Sequence, residues 1–119
     1  MATLTTTLTL TSTDAMSDAI SISVTDSLAV TDPAESSRIT VLHSAATILA
    51  AASTGAYYAY IKNVGTNSRT VDVRIAGGAA LAQLAVDEFC FIPVKTNIGI
   101  EVIANVGSEI VDFAIFKKS

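Results

Sequence analysis

The sequence predicts an all-β protein: an antiparallel β-sandwich or jelly roll of about eight to nine short strands, preceded by an extended N-terminal segment. Three observations carry this. Between Tyr57 and Phe116 six segments, YYAYIKN, RTVDVRI, ALAQLAV, EFCFIP, IGIEVIA and EIVDFAIF, are apolar at alternate positions or throughout. Turn-forming residues separate most of them, as in Asn63–Ser68, Ala76–Ala79 and Asn105–Ser108. No stretch reads as a convincing helix, so the crossover connections of a parallel α/β sheet are excluded.

From Ala2 to Thr11 the run ATLTTTLTLT places Leu4, Leu8 and Leu10 on one face of a strand and threonines on the other. Residues 1–12 are therefore expected to form an N-terminal strand or arm, and residues 13–119 a single sandwich domain. The arm either closes the edge of its own sheet or reaches a neighbouring subunit by strand addition. After a polar break at Thr13–Asp18, the apolar series Ile20, Ile22, Val24, Leu28, Val30 is interrupted by Asp26, which suggests a strand kinked near Thr25–Ser27. Asp32 and Pro33 are expected to end it, because proline removes a ladder donor, and RITVLH from Arg38 to His43 reads as a third strand. Ser44–Ala56 reads as a loop with one turn of helix.

Across the next strand, Tyr57, Ala59 and Ile61 face one way and Tyr58, Tyr60 and Lys62 the other. The second face combines aromatic bulk with a charge, which makes Tyr58 and Tyr60 candidate contact residues. Val71, Val73 and Ile75 alternate with Thr70, Asp72 and Arg74 in the clearest half-buried strand. Phe89 and Phe91 share one face of EFCFIP, Cys90 and Ile92 the other, and Pro93 closes that strand.

Length and composition bound the rest. A chain of 119 residues can bury one core. Half its residues are hydrophobic and 15% are charged, against roughly 25–35% expected for a well-behaved monomer surface. The surplus apolar surface points to an oligomer or larger assembly. Seven scattered cations and a net charge of −4 give no basic patch for nucleic acid. No run approaches the roughly 20 apolar residues of a membrane span, and no secretory signal is recognisable, so synthesis and folding in the cytoplasm of some cell are expected.

Nothing in the sequence assembles a catalytic, metal or cofactor site, and a non-enzymatic role is expected. His43 is the only histidine, so one chain cannot build a two-histidine metal or acid–base site. Cys90, the only cysteine, sits between two phenylalanines as a small hydrophobe; its pairing with His43 as nucleophile and base is formally possible only. Asp14, Asp18, Asp26, Asp32 and Glu35 match no compact calcium loop. Asp87 and Glu88 are adjacent and, in a strand, would point to opposite faces.

The C-terminal half resembles small virion structural proteins of tailed bacteriophages. The matching residues are Tyr58, Tyr60, Ile61, Lys62 and Asn63 of a Y-x-Y-I-K-N strand, then Val71 and Val73. Glu88, Phe89, Phe91 and Pro93 follow in a G-E-F-x-F-x-P-like segment, and Phe113 and Phe116 in the closing strand. Asp87 stands where such proteins often carry glycine. The resemblance covers about Tyr57–Lys117 and implies a capsid decoration or cement protein: a homo-oligomer, with a trimer expected, bound to the major capsid protein on the outer face of the virion. Its alternative is a tail or fibre component that binds a host receptor or carbohydrate. In the first reading Leu4, Leu8, Leu10, Tyr58 and Tyr60 supply contacts to subunits or partners.

Overall fold

The computed structural model describes residues 2–15 and 17–119; the side chains of residues 32–34 lie outside the described set, and with them the Asp32 carboxylate. Among the described residues nine strands form: β1 (Ala2–Ser12), β2 (Ile20–Leu42), β3 (Thr47–Ala50), β4 (Tyr57–Asn63), β5 (Val71–Ile75), β6 (Ala80–Leu84), β7 (Phe89–Val94), β8 (Ile100–Ala104) and β9 (Ser108–Lys118). They pair antiparallel in two sheets, β1-β2-β9-β4-β7 and β3-β8-β5-β6. The protein is a β-sandwich, as its alternating pattern predicts.

Period 2 decides which side chains meet in the core. Along β4, Tyr57, Ala59, Ile61 and Asn63 are buried, while Tyr58, Tyr60 and Lys62 are half-buried on the outer side. Ile61 and Tyr57 pack with Val111 and Phe113 of β9 against Val71, Val73, Ile100 and Val102 of the opposite sheet. Most of these are β-branched, the residues that best fill a pleated surface. Tyr57 also donates its hydroxyl to the Ile98 carbonyl at 2.8 Å, so its buried polar tip is satisfied.

Two elements differ from expectation. Ser44–Ala56 holds strand β3, paired with β8, and only then a single 3-10 turn at Ala52–Thr54. Three cross-strand pairs with β8 outweigh the helix propensity of an alanine-rich run. The apolar series from Ile20 and the RITVLH segment are one continuous strand of 23 residues rather than two. Its irregularity falls between Thr31 and Glu35, where the register against β9 shifts, and not at Thr25–Ser27, whose ladder with β1 is regular. The extra residues opposite β9 absorb Pro33, since a bulge asks for no donor there.

Asn63 fastens the end of β4 to three neighbours. Its side-chain amide donates to the carbonyls of Arg69 at 2.9 Å and Leu84 at 3.0 Å, and its carbonyl oxygen accepts from Gly65 N–H at 3.0 Å. Its backbone pairs with the next turn, donating to Glu88 and accepting from Asp87 N–H at 2.8 Å. That turn requires Asp87 at φ 70°, in the left-handed region. Glycine is the easiest occupant there and aspartate a tolerated one. We expect Asp87→Gly to leave stability unchanged or raise it by up to ~1 kcal/mol, and Asp87→Val to lower it by about 1–2 kcal/mol. Urea denaturation midpoints check this, and equal midpoints for the two variants would contradict it.

Candidate functional site

β1 bonds only to the first half of β2, in the unbroken register Ala2↔Val30 to Ser12↔Ile20. β9 meets β2 only from Val30 and Thr31 onward. Residues 2–30 therefore make a two-stranded ribbon that leaves the sandwich as an arm, and the predicted N-terminal strand is half of it. At its tip the Ser12 hydroxyl accepts from the N–H groups of Asp14 at 3.3 Å and Ala15 at 2.9 Å.

Register sorts the arm into two faces. Even positions place Leu4 opposite Leu28, Thr6 opposite Asp26, Leu8 opposite Val24 and Leu10 opposite Ile22. Odd positions carry the hydroxyls, with Thr7 and Thr25 in contact at 3.4 Å. A two-stranded ribbon is marginally stable in water unless its apolar face is covered. Here Leu8, Leu10, Ile22 and Val24 are 44%, 49%, 46% and 54% exposed.

The outer face of the first sheet supplies a second apolar wall. Tyr58 lies between Phe116 and Pro93, Tyr60 between Ala114 and Phe91, and Lys62 between Asp112 and Phe89. Tyr58 stacks on Phe91 with centroids 5.8 Å apart, and Tyr60 meets Phe89 at 6.2 Å. The Lys118 ammonium stands 5.0 Å from the Tyr58 ring centroid, in cation–π range. Phe89 remains 55% exposed. Between this wall and the even face of the arm runs an open cleft of about 820 Å³. Leu8, Val24 and Leu28 line one side and Tyr58, Tyr60 and Phe91 the other, with Asp26 and Lys118 at its polar positions.

The cleft brings together Leu8, Tyr58 and Tyr60 of the five expected contact residues. Leu4 and Leu10 share the arm's apolar face but do not line it; Leu10 instead borders a shallow depression near the tip with Ile20 and Ile22. Val24, Leu28 and Phe89 went unassigned. The sequence marks the even-numbered series of β2 only as one apolar face of a strand, and its pairing with β1, outside the sandwich, exposes it.

The residues weighed for catalysis stay apart. Cys90 lies across from Ile61 and Phe113 in line with Ser37, whereas His43 follows the far end of β2. Three strand widths, roughly 14 Å, separate β7 from β2, and six further residues separate His43 from that row. Burial pushes the Cys90 thiol up, against a smaller opposing hydrogen bond to the Ile61 backbone, so it is a poor nucleophile. Among the described residues no three of His, Cys, Asp and Glu are grouped to hold a metal ion.

Fold and surface together define a β-sandwich carrying an arm with an exposed apolar face. No family model and no curated protein matches the chain. Among solved structures it is similar to a chain described under "Bacillus endospore appendages form a novel family of disulfide-linked pili", with a TM-score of 0.52 and 15% identity over 76% of this chain and 90% of that one. At that identity the likeness supports the sandwich fold alone.

Arg38 and Asp112, opposite one another on β2 and β9, form a two-pronged ion pair at 2.6 and 2.9 Å. The hydrogen bond from Arg38 holds the Asp112 carboxyl below its ordinary 3.8, so the pair stabilises the fold above that pH and loses its effect as pH falls through the lowered value. Arg38 is exposed and Asp112 half-buried, so solvent screening keeps the contribution of the pair small. Asp112→Asn should therefore lower stability modestly at pH 7, with the deficit shrinking below pH 3.8. Urea titrations at both pH values test this, and a deficit that grows on acidification would contradict it.

Proposed function

We propose that this chain is a non-enzymatic structural subunit that associates with copies of itself, and that the assembly decorates and stabilises the outer face of a virion. One observation carries the self-association. Five of the nine exposed large hydrophobic side chains among the described residues, Leu8, Leu10, Ile22, Val24 and Phe89, belong to the arm's apolar face and the wall it overhangs. Covering their exposed halves is worth roughly 4–7 kcal/mol. That only about matches the lower end of the roughly 4–15 kcal/mol lost when two bodies associate. A stable assembly therefore needs every copy to make more than one such contact, which a closed ring provides and a lone one-way contact does not.

The virion setting rests on the resemblance carried by Tyr58–Asn63, Glu88–Pro93 and the closing β9 strand. The acidic balance of the chain suits an outer surface better than a genome-facing one. Binding only the assembled shell would stabilise it by mass action. The likeness to an appendage that forms pili favours a second setting, in which the same contact runs on as a filament instead of closing. With one half-buried thiol per copy, disulfides could join copies only in pairs and not run on along a filament, so packing must carry the repeating contact.

Mass photometry over a range of concentrations tests the reading. The expected result is a discrete oligomer, with a trimer as the first candidate, that co-pellets with assembled capsid shells at a fixed ratio. The double variant Tyr58→Ala, Tyr60→Ala should keep its circular dichroism and weaken association at least ~10-fold. A wild-type monomer at every concentration, or a double variant that assembles normally, would contradict self-association through this face. An oligomer that ignores shells would remove the virion decoration role.

A further inference from the structure

We infer that the partner of the cleft is the arm of a second copy of this chain, seated with its apolar face on the Tyr58–Tyr60–Phe89–Phe91 wall. This rests on the self-association proposed above and specifies its contact. Three observations point to this occupant. The first is tethering: the arm grows out of the same sheet whose outer face it overhangs. Its base is held by the Val30–Lys118 and Thr31–Lys117 pairings and by the Ser119 N–H bond to the Ala29 carbonyl at 3.2 Å. Held there, it overhangs its own wall with the cleft open between them. An arm arriving from another copy carries no such tether and can close on the wall at the ordinary spacing of packed sheets, roughly 10 Å.

The second observation is chemical fit. The arm's even face is a stripe of Leu8, Leu10, Ile22 and Val24 broken by one acid, Asp26. The wall is aromatic with one ammonium, Lys118, at its edge. Among the described residues neither Asp26 nor Lys118 forms a salt bridge, so each offers the other copy an unneutralised charge.

The third observation selects the body of the second copy over its arm. The arm, residues 2–30, carries Asp14, Asp18 and Asp26 and no lysine or arginine. All seven cations lie outside it, with Lys118 at the edge of the aromatic wall. Arm against arm brings like charges together; arm against wall brings Asp26 to Lys118. The contact is therefore heterologous, each copy giving one arm and taking one. The register shift between Thr31 and Glu35 supplies the bend at which the arm turns toward its neighbour.

A photo-crosslinking experiment on the full chain tests this. A benzophenone amino acid replaces Val24, which is exposed and outside the core, and light and isotopically heavy copies are mixed, irradiated and mapped by mass spectrometry. Adducts joining the arm of one copy to the Tyr57–Lys62 or Phe89–Val94 peptides of another are expected. They should fall about tenfold when the receiving copy carries Phe89→Asp. An oligomer whose adducts stay within single chains, or join arm to arm, would overturn this inference and leave self-association standing. A monomer with adducts only inside one chain would overturn both.

Discussion

The outer side of this protein follows from one constraint: β2 belongs to two pairings in succession. Its second half is locked into the sandwich through β9, and its first half has only β1 for a partner. A strand turns out of its sheet at a bulge or a bend, and the register shift between Thr31 and Glu35 gives β2 such a place. The ribbon therefore leaves the sheet while remaining bound to its edge, and its apolar face hangs above the aromatic wall without closing on it. The uncovered leucines, the open cleft and the exposed Phe89 all arise from that geometry.

The sandwich itself is stabilised independently of the arm. Tyr57, Ile61, Val71, Val73, Ile100 and Val102 form a buried core between the sheets, and Asn63 ties β4 to the neighbouring turns through both its side chain and its backbone. Glu109 is fully buried and accepts from Arg69 N–H at 3.2 Å, while Gly65 beside it has no room for a Cβ. Those interactions lie on the far side of β4 and β9 from the aromatic wall. Contact residues on the wall can therefore be changed with little effect on the core, since sites without shared partners act nearly independently.

Much of the fold was legible because alternation is a direct record of burial. The faces of β4, β5 and β7 can be assigned from Tyr57–Lys62, Thr70–Ile75 and Phe89–Ile92 alone, and the structure places them so. Leu4, Leu8 and Leu10 were legible as one face for the same reason. What they face was not, because the arm's second strand has the same alternation as a core strand, and burial of Ile22 and Val24 depends on topology. Strand β3 was hidden by alanine, whose helix propensity says little where pairing with β8 decides. The continuity of β2 was hidden by Pro33, which ends a regular ladder but fits an irregular one.

If copies assemble as proposed, the arm's apolar face and the aromatic wall are buried in the assembly. Hydroxyl-radical footprinting of the dilute and the assembled protein reads this side chain by side chain. Leu8, Val24 and Phe89 are then expected to lose reactivity on assembly, while Ile48 and Leu81, exposed on the other sheet, keep theirs. Protection of Ile48 and Leu81 with the arm and Phe89 still reactive would contradict it, and would move the interface to the opposite face of the sandwich.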